Sequence, residues 1–107
     1  MTNPRAKGSR TERRAKKELE LCGWNVYRVP GAIRFNKGVD LFGLWDLLAL
    51  KDKQRKWIQC KTNKWVNLRP FQAFKREYGN EYDSFEIWTW YEPGKSKTWK
   101  GWRKQTL

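Results

Sequence analysis

The chain has 107 residues, enough for one small domain with one modest core. It carries 24 Lys and Arg against 11 Asp and Glu, a formal charge of +13, and self-repulsion on that scale points to a polyanionic partner. Eight tryptophans exclude a disordered basic tail, and the absence of histidine excludes His-based nuclease chemistry, Ser-His-Asp and Cys-His catalysis and any zinc site that needs His.

Residues 1–8, with Pro4, Gly8 and two basic side chains, read as a flexible basic arm, and 9–107 as one domain. A first helix is expected from Ser9, because Ser9 and Glu12 have capping-box spacing and Ala15, Leu19 and Cys22 recur on one face; Gly23 ends it. Trp24–Val29 is β-branched and aromatic and predicts a strand. A long loop follows Pro30-Gly31. It holds Arg34, Lys37 and Asp40, and loops of that length in compact domains are usually functional or mobile. Strands are expected over Leu44–Leu50 and Trp57–Thr62, joined by the turn KDKQRK. A second helix is expected over Pro70–Tyr78, with Phe71, Phe74 and Tyr78 as its apolar stripe and Gly79 as its stop. SFEIWTWY predicts a strong strand, and TWKGWRKQ a basic edge strand. The order α-β-β-β-α-β-β predicts an α+β fold with a central mixed sheet flanked by helices. Cys22 and Cys60 are too few for a four-Cys zinc site and are expected to be buried free thiols in a reducing compartment. No apolar run approaches a membrane span and no export signal is visible. The expectation is a cytoplasmic protein, of a microbial cell or a virus-infected host, with no membrane partner.

The hairpin over 44–62 carries the chemistry. With its turn centred between Lys53 and Gln54, Leu50 faces Trp57, Leu48 faces Gln59 and Asp46 faces Lys61. Opposed residues share a face, so Asp46, Gln59 and Lys61 gather at one end, while Leu47, Ala49, Ile58 and Cys60 turn to the core. Mg²⁺ takes oxygen ligands and commonly only one or two carboxylates plus waters. Asp46 and the Gln59 amide supply such oxygens, and Lys61 can offset charge on a phosphoryl transition state. Against this, an Asp at a strand start is often a loop-end hydrogen-bonding residue, and Gln and Lys alternating on a strand are often a solvated face. On these three residues alone, the second reading is the more economical.

The wider pattern resembles a known family. An acid, a hairpin and an [E/Q]-x-K pair is similar to the restriction-endonuclease-like PD-(D/E)XK nuclease core, specifically to archaeal-type Holliday junction resolvases. KGSRTERRAKKEL resembles the opening helix with its Glu, here Glu12. GWNVYRVPGA resembles the first strand and the loop over the junction, DLLAL the strand carrying the metal-binding Asp, WIQCKT the strand with the acid-x-lysine pair, and LRPFQ the segment holding a Gln, here Gln72. The likeness spans roughly residues 7–90. It departs at Trp45, where the family has Pro, and at Gln59, where Glu or Asp is usual, although Gln occurs there in some branches of the superfamily and its amide oxygen can still ligate.

The resemblance implies a metal-dependent endonuclease that resolves four-way DNA junctions as a homodimer. It implies Mg²⁺, with Mn²⁺ able to substitute, held by Asp46, Gln59, the Cys60 backbone carbonyl and Glu12, with Lys61 beside the scissile phosphate. Glu12 retains its alternative reading as a capping-box residue, and Asp40 as a turn residue. Arg10, Arg13, Arg14, Arg28, Arg34, Lys37, Lys64, Arg69 and Gln72 are the expected DNA contacts; individually each is also an ordinary surface residue. Lys95, Lys97, Lys100, Arg103 and Lys104 suit either solubility or a flanking duplex arm. Two alternatives stay open: a related nuclease acting on other branched or duplex DNA, and a non-catalytic module, since α-β-β-β-α also describes a double-stranded RNA-binding fold.

Overall fold

The computed structural model describes residues 4–29, 41–94 and 100–107, with side chains from Ser9 onward. Its elements are α1 (Pro4–Leu21), β1 (Asn25–Arg28), β2 (Leu47–Lys51), β3 (Gln54–Thr62), α2 (Arg69–Tyr78), β4 (Asp83–Tyr91) and β5 (Gly101–Thr106). They form one five-stranded sheet in the order β1-β2-β3-β4-β5. The β3–β4 pair is parallel and the other pairs are antiparallel. The order and the mixed sheet match the sequence expectation.

Alternation along β3 and β4 builds a three-layer core. Ile58, Cys60 and Trp88 pack with Ala15 and Leu19 of α1 and with Val26, Leu47 and Ala49. Trp57, Phe85 and Ile87 turn the other way and pack with Trp45 and with Phe71 and Phe74 of α2. The sheet is therefore apolar on both faces, each covered by one helix.

Four expectations are corrected. First, α1 begins at Pro4, not after Ser9. Residues 4–8 are helical, which Pro4 permits because proline needs no intrahelical N–H partner in a first turn. Ser9 is then interior and caps nothing. Second, the β2–β3 register is displaced by two residues: Leu48 pairs with Trp57, not Gln59, and Lys51 pairs with Gln54. The turn shrinks to Asp52-Lys53, because Asp52 adopts φ 55°, a left-handed conformation that Asp tolerates better than most residues. Third, β2 starts at Leu47, because residues 41–45 close into a turn through a Leu41–Trp45 bridge. Fourth, both cysteines are free thiols, but only Cys60 is buried. Cys22 lies past the end of α1, where its carbonyl accepts a hydrogen bond from Lys51 Nζ at 2.8 Å. Arg34, Lys37, Asp40, Lys95 and Lys97 fall outside the described residues. No described helix is long and apolar enough to cross a membrane.

Candidate active site and nucleic-acid interface

One end of the sheet collects the chemistry. Here β1 ends, β2 begins, and β3 and β4 end. Asp46 sits just before β2 and is tied to both neighbours: its carbonyl accepts from Val29 N at 3.1 Å, and its N–H donates to Ile58 O at 2.9 Å. Extending the observed register by one pair sets Asp46 level with Gln59. Its carboxylate is 4% exposed, and Oδ2 accepts the Cys60 backbone N–H at 2.9 Å. A carboxylate fixed this way does not reorganise when charge arrives beside it.

Gln59 is nearly as buried, and hydrogen bonding assigns its amide. The nitrogen donates to Asp46 Oδ2 at 3.0 Å and to the Leu44 carbonyl oxygen. Asp46 and Gln59 therefore meet, as expected, although by a register different from the predicted one. The two-residue displacement keeps every side chain on its predicted face because the pleat repeats every two residues. Lys61 lies two residues beyond Gln59 on that same face. It is half-buried, and its ammonium has no hydrogen-bond or ion-pair partner among the described residues.

Glu12 is buried on α1. Its Oε1 accepts from Arg28 Nε at 3.0 Å, while Arg28 Nη2 donates to Ser9 Oγ at 2.6 Å. The capping-box role is thus absent, and both Ser9 and Glu12 are turned toward β1. Arg28 neutralises a buried carboxylate and braces Glu12 beside Val29, the backbone partner of Asp46. Arg10, Arg13 and Arg14 are exposed along α1, as are Lys64, Arg69 and Gln72 on the far side of the sheet end.

A hard cation has a partial donor set here. The Asp46 carboxylate, the Gln59 amide and nearby backbone carbonyls are all oxygen donors, which suits an ion that keeps several waters. Gln59 would have to turn its amide to present oxygen. Among the described residues no three His, Cys, Asp or Glu side chains converge as a metal cluster. Sequence reasoning does not flag the Leu44 carbonyl, because backbone oxygens carry no sequence signal. Nor does it find the stack of Arg14 over Trp90, 3.8 Å from guanidinium carbon to ring centroid, or that of Arg103 over Trp65, also 3.8 Å. Those partners lie far apart in the chain and meet only through the sheet.

No protein-family profile and no curated protein matches the chain. Among solved structures it is similar to Archaeoglobus fulgidus Hjc, a Holliday junction resolvase from an archaeal hyperthermophile. The match has a TM-score of 0.59 at 20% sequence identity, covering 94% of this chain and 72% of that one. The chain has the restriction-endonuclease-like fold of that protein.

Proposed function

We propose that the protein is a metal-dependent DNA endonuclease that resolves four-way junctions by phosphodiester hydrolysis. The observation that carries this reading is the group at the sheet end: a buried, backbone-anchored Asp46 beside Gln59, with the Lys61 ammonium on the same face. The fold shared with a junction resolvase and the +13 charge support it. Mg²⁺, with Mn²⁺ as a substitute, would supply an activated water and charge neutralisation at the phosphate when bound. Asp46, the Cys60 carbonyl and the Gln59 amide oxygen would hold it, with Glu12 as a further carboxylate once Arg28 yields.

The chain's own residues do the rest. Lys61 stabilises negative charge on the attacked phosphate, and no described carboxylate competes for it. Asp46 keeps its orientation through the Cys60 N–H. The aromatic layer under Trp57 and Trp45 excludes water behind the site. The exposed arginines of α1 position the phosphate backbone without reading sequence. The active species is a homodimer whose two sites make paired cuts, matching the pseudo-two-fold symmetry of a junction.

A second reading, junction binding without cutting, draws on one observation: the Gln59 amide N–H donates to Asp46, where the family pattern has a second acid. Incubation of a labelled four-way junction, linear duplex and single strand with Mg²⁺ separates the two. The endonuclease reading requires junction-specific product. Retarded but intact junction supports the binding module.

A further inference from the structure

On the α1 face, beside the same sheet end, lies a cavity of about 180 Å³ lined by Arg10, Thr11, Arg14, Thr62, Trp90 and Glu92 among others. Arg10 and Arg14 are four residues apart on α1 and share one side of the helix. Thr62 and Trp90 are paired across β3–β4. The Thr62 hydroxyl is held by the Thr11 hydroxyl at 2.6 Å. The far wall is braced by Asn63: its Nδ2 donates to Glu92 Oε1 at 2.7 Å, and its Oδ1 accepts the Glu92 backbone N–H at 2.8 Å.

Two features make this a built site and not a patch of surface charge. The Arg14 guanidinium carbon sits over the Trp90 ring, 3.8 Å from its centroid, and Trp90 in turn packs edge-on against Trp102 at 5.1 Å. A guanidinium stacked by its face keeps its in-plane N–H donors free for a planar fork of acceptors. Arg10 has no hydrogen-bond or ion-pair partner among the described residues. Two guanidinium groups against the one Glu92 carboxylate leave the cavity net positive. Lys61 and Thr62 are consecutive but point to opposite faces of the sheet, so the end of β3 separates this cavity from the Asp46 site.

We propose that the cavity is a phosphate subsite for a DNA backbone phosphate flanking the one beside Lys61, with Arg10 and Arg14 as its donors and Trp90 as the residue that positions Arg14. The proposal rests on the DNA reading above and adds to it a specific grip on the far side of β3. Free inorganic phosphate offers the same chemistry, so both are tested.

Junction binding is measured by anisotropy in EDTA as a function of salt, for wild type, Arg10→Gln/Arg14→Gln, Trp90→Leu and Trp90→Phe, with unfolding midpoints as folding controls. If both arginines grip one phosphate, the double variant lowers the log–log salt slope by about 0.9. It also weakens binding about tenfold or more. Trp90→Leu changes no charge, yet weakens binding several-fold, and Trp90→Phe restores most of it by keeping an aromatic face. A slope loss of about 1.8 means two independent surface contacts and overturns the subsite. So does a folded Trp90→Leu that binds like wild type. Should Trp90→Leu fail to fold, the double-variant slope and Trp90→Phe still decide. Calorimetry with inorganic phosphate is expected to show weak binding that the double variant loses; phosphate binding by a protein that ignores DNA overturns the DNA assignment. Cutting is assayed separately with Mg²⁺. A protein that binds junctions without cutting fails only the enzymatic reading, whereas one that cuts while its arginine variants keep the wild-type slope fails only the subsite.

Discussion

Asp46 and Gln59 are held in one hydrogen-bonded unit, and this sets the behaviour expected of their variants. Asp46→Asn retains an oxygen to accept the Cys60 N–H but loses the charge. It is predicted to lower cleavage about a hundredfold or more, while junction binding in EDTA stays near wild type. Unchanged cleavage by the purified variant contradicts the site assignment. Gln59→Glu restores a carboxylate where the amide N–H now donates, so the half-maximal Mg²⁺ concentration for cutting is predicted to fall. Gln59→Ala is predicted to raise it or abolish cutting. Superimposable Mg²⁺ titrations of wild type and both variants would mean Gln59 never meets the ion. Arg28→Ala removes a charge-assisted bond to a buried carboxylate and is predicted to cost about 1.5–3 kcal/mol in denaturant unfolding. The residue types at 46, 59 and 61 were readable because a solitary acid, a Gln and a Lys stand out among apolar strand neighbours. The Glu12–Arg28 pair was not readable: Ser9 and Glu12 mimic a capping box, and only the tertiary fold shows both turned to β1 instead.

At the level of elements, the strands and helices were legible because their periodicities are clean. Errors concentrate where local chemistry permits two outcomes. Pro4 marks either a loop or a helix start, and here it starts α1. KDKQRK permits a long or a short turn, and Asp52 in the left-handed region selects the short one. The face assignment survived because a two-residue displacement leaves alternation intact, whereas a one-residue slip would have exchanged the faces. The junction of α2 with β4 offers a sharp packing test. A Cβ on Gly79 would lie 2.6 Å from Lys75 O and 2.8 Å from Phe85 Cε2. Phe85 is core and the Lys75 carbonyl belongs to α2, so neither moves freely. Gly79→Ala is predicted to destabilise by about 1–3 kcal/mol in urea unfolding, with no change in fold. Trp45 is fully buried, and its indole N–H has no hydrogen-bond partner among the described residues. Trp45→Ala is predicted to cost about 3–5 kcal/mol, whereas Trp45→Phe removes the unpaired donor and is predicted to cost less than about half of that. Equal losses in the two variants would show that the indole nitrogen carries no penalty.

For the whole molecule, the fold gathers the ends of four strands and the Glu12 turn of α1 on one side, and Arg10, Arg14 and Lys61 border it. Glu18 engages Lys104, Asp83 engages Arg55 and Glu86 engages Lys56, so those cations are partly neutralised away from the sheet end. Arg10 and Lys61 remain available. The excess of positive charge was legible from composition alone; which cations are engaged in ion pairs was not, because those pairs form between residues distant in sequence. The central claim is that this end of the sheet hydrolyses a phosphodiester in branched DNA. The measurement that tests it most directly is a time course of a labelled four-way junction, run beside linear duplex and single strand, with wild type and Asp46→Asn in Mg²⁺ and in Mn²⁺. The account predicts paired-cut junction products from wild type only, with duplex and single strand left intact. An uncut junction in both metals, or equal cutting by Asp46→Asn, would contradict it.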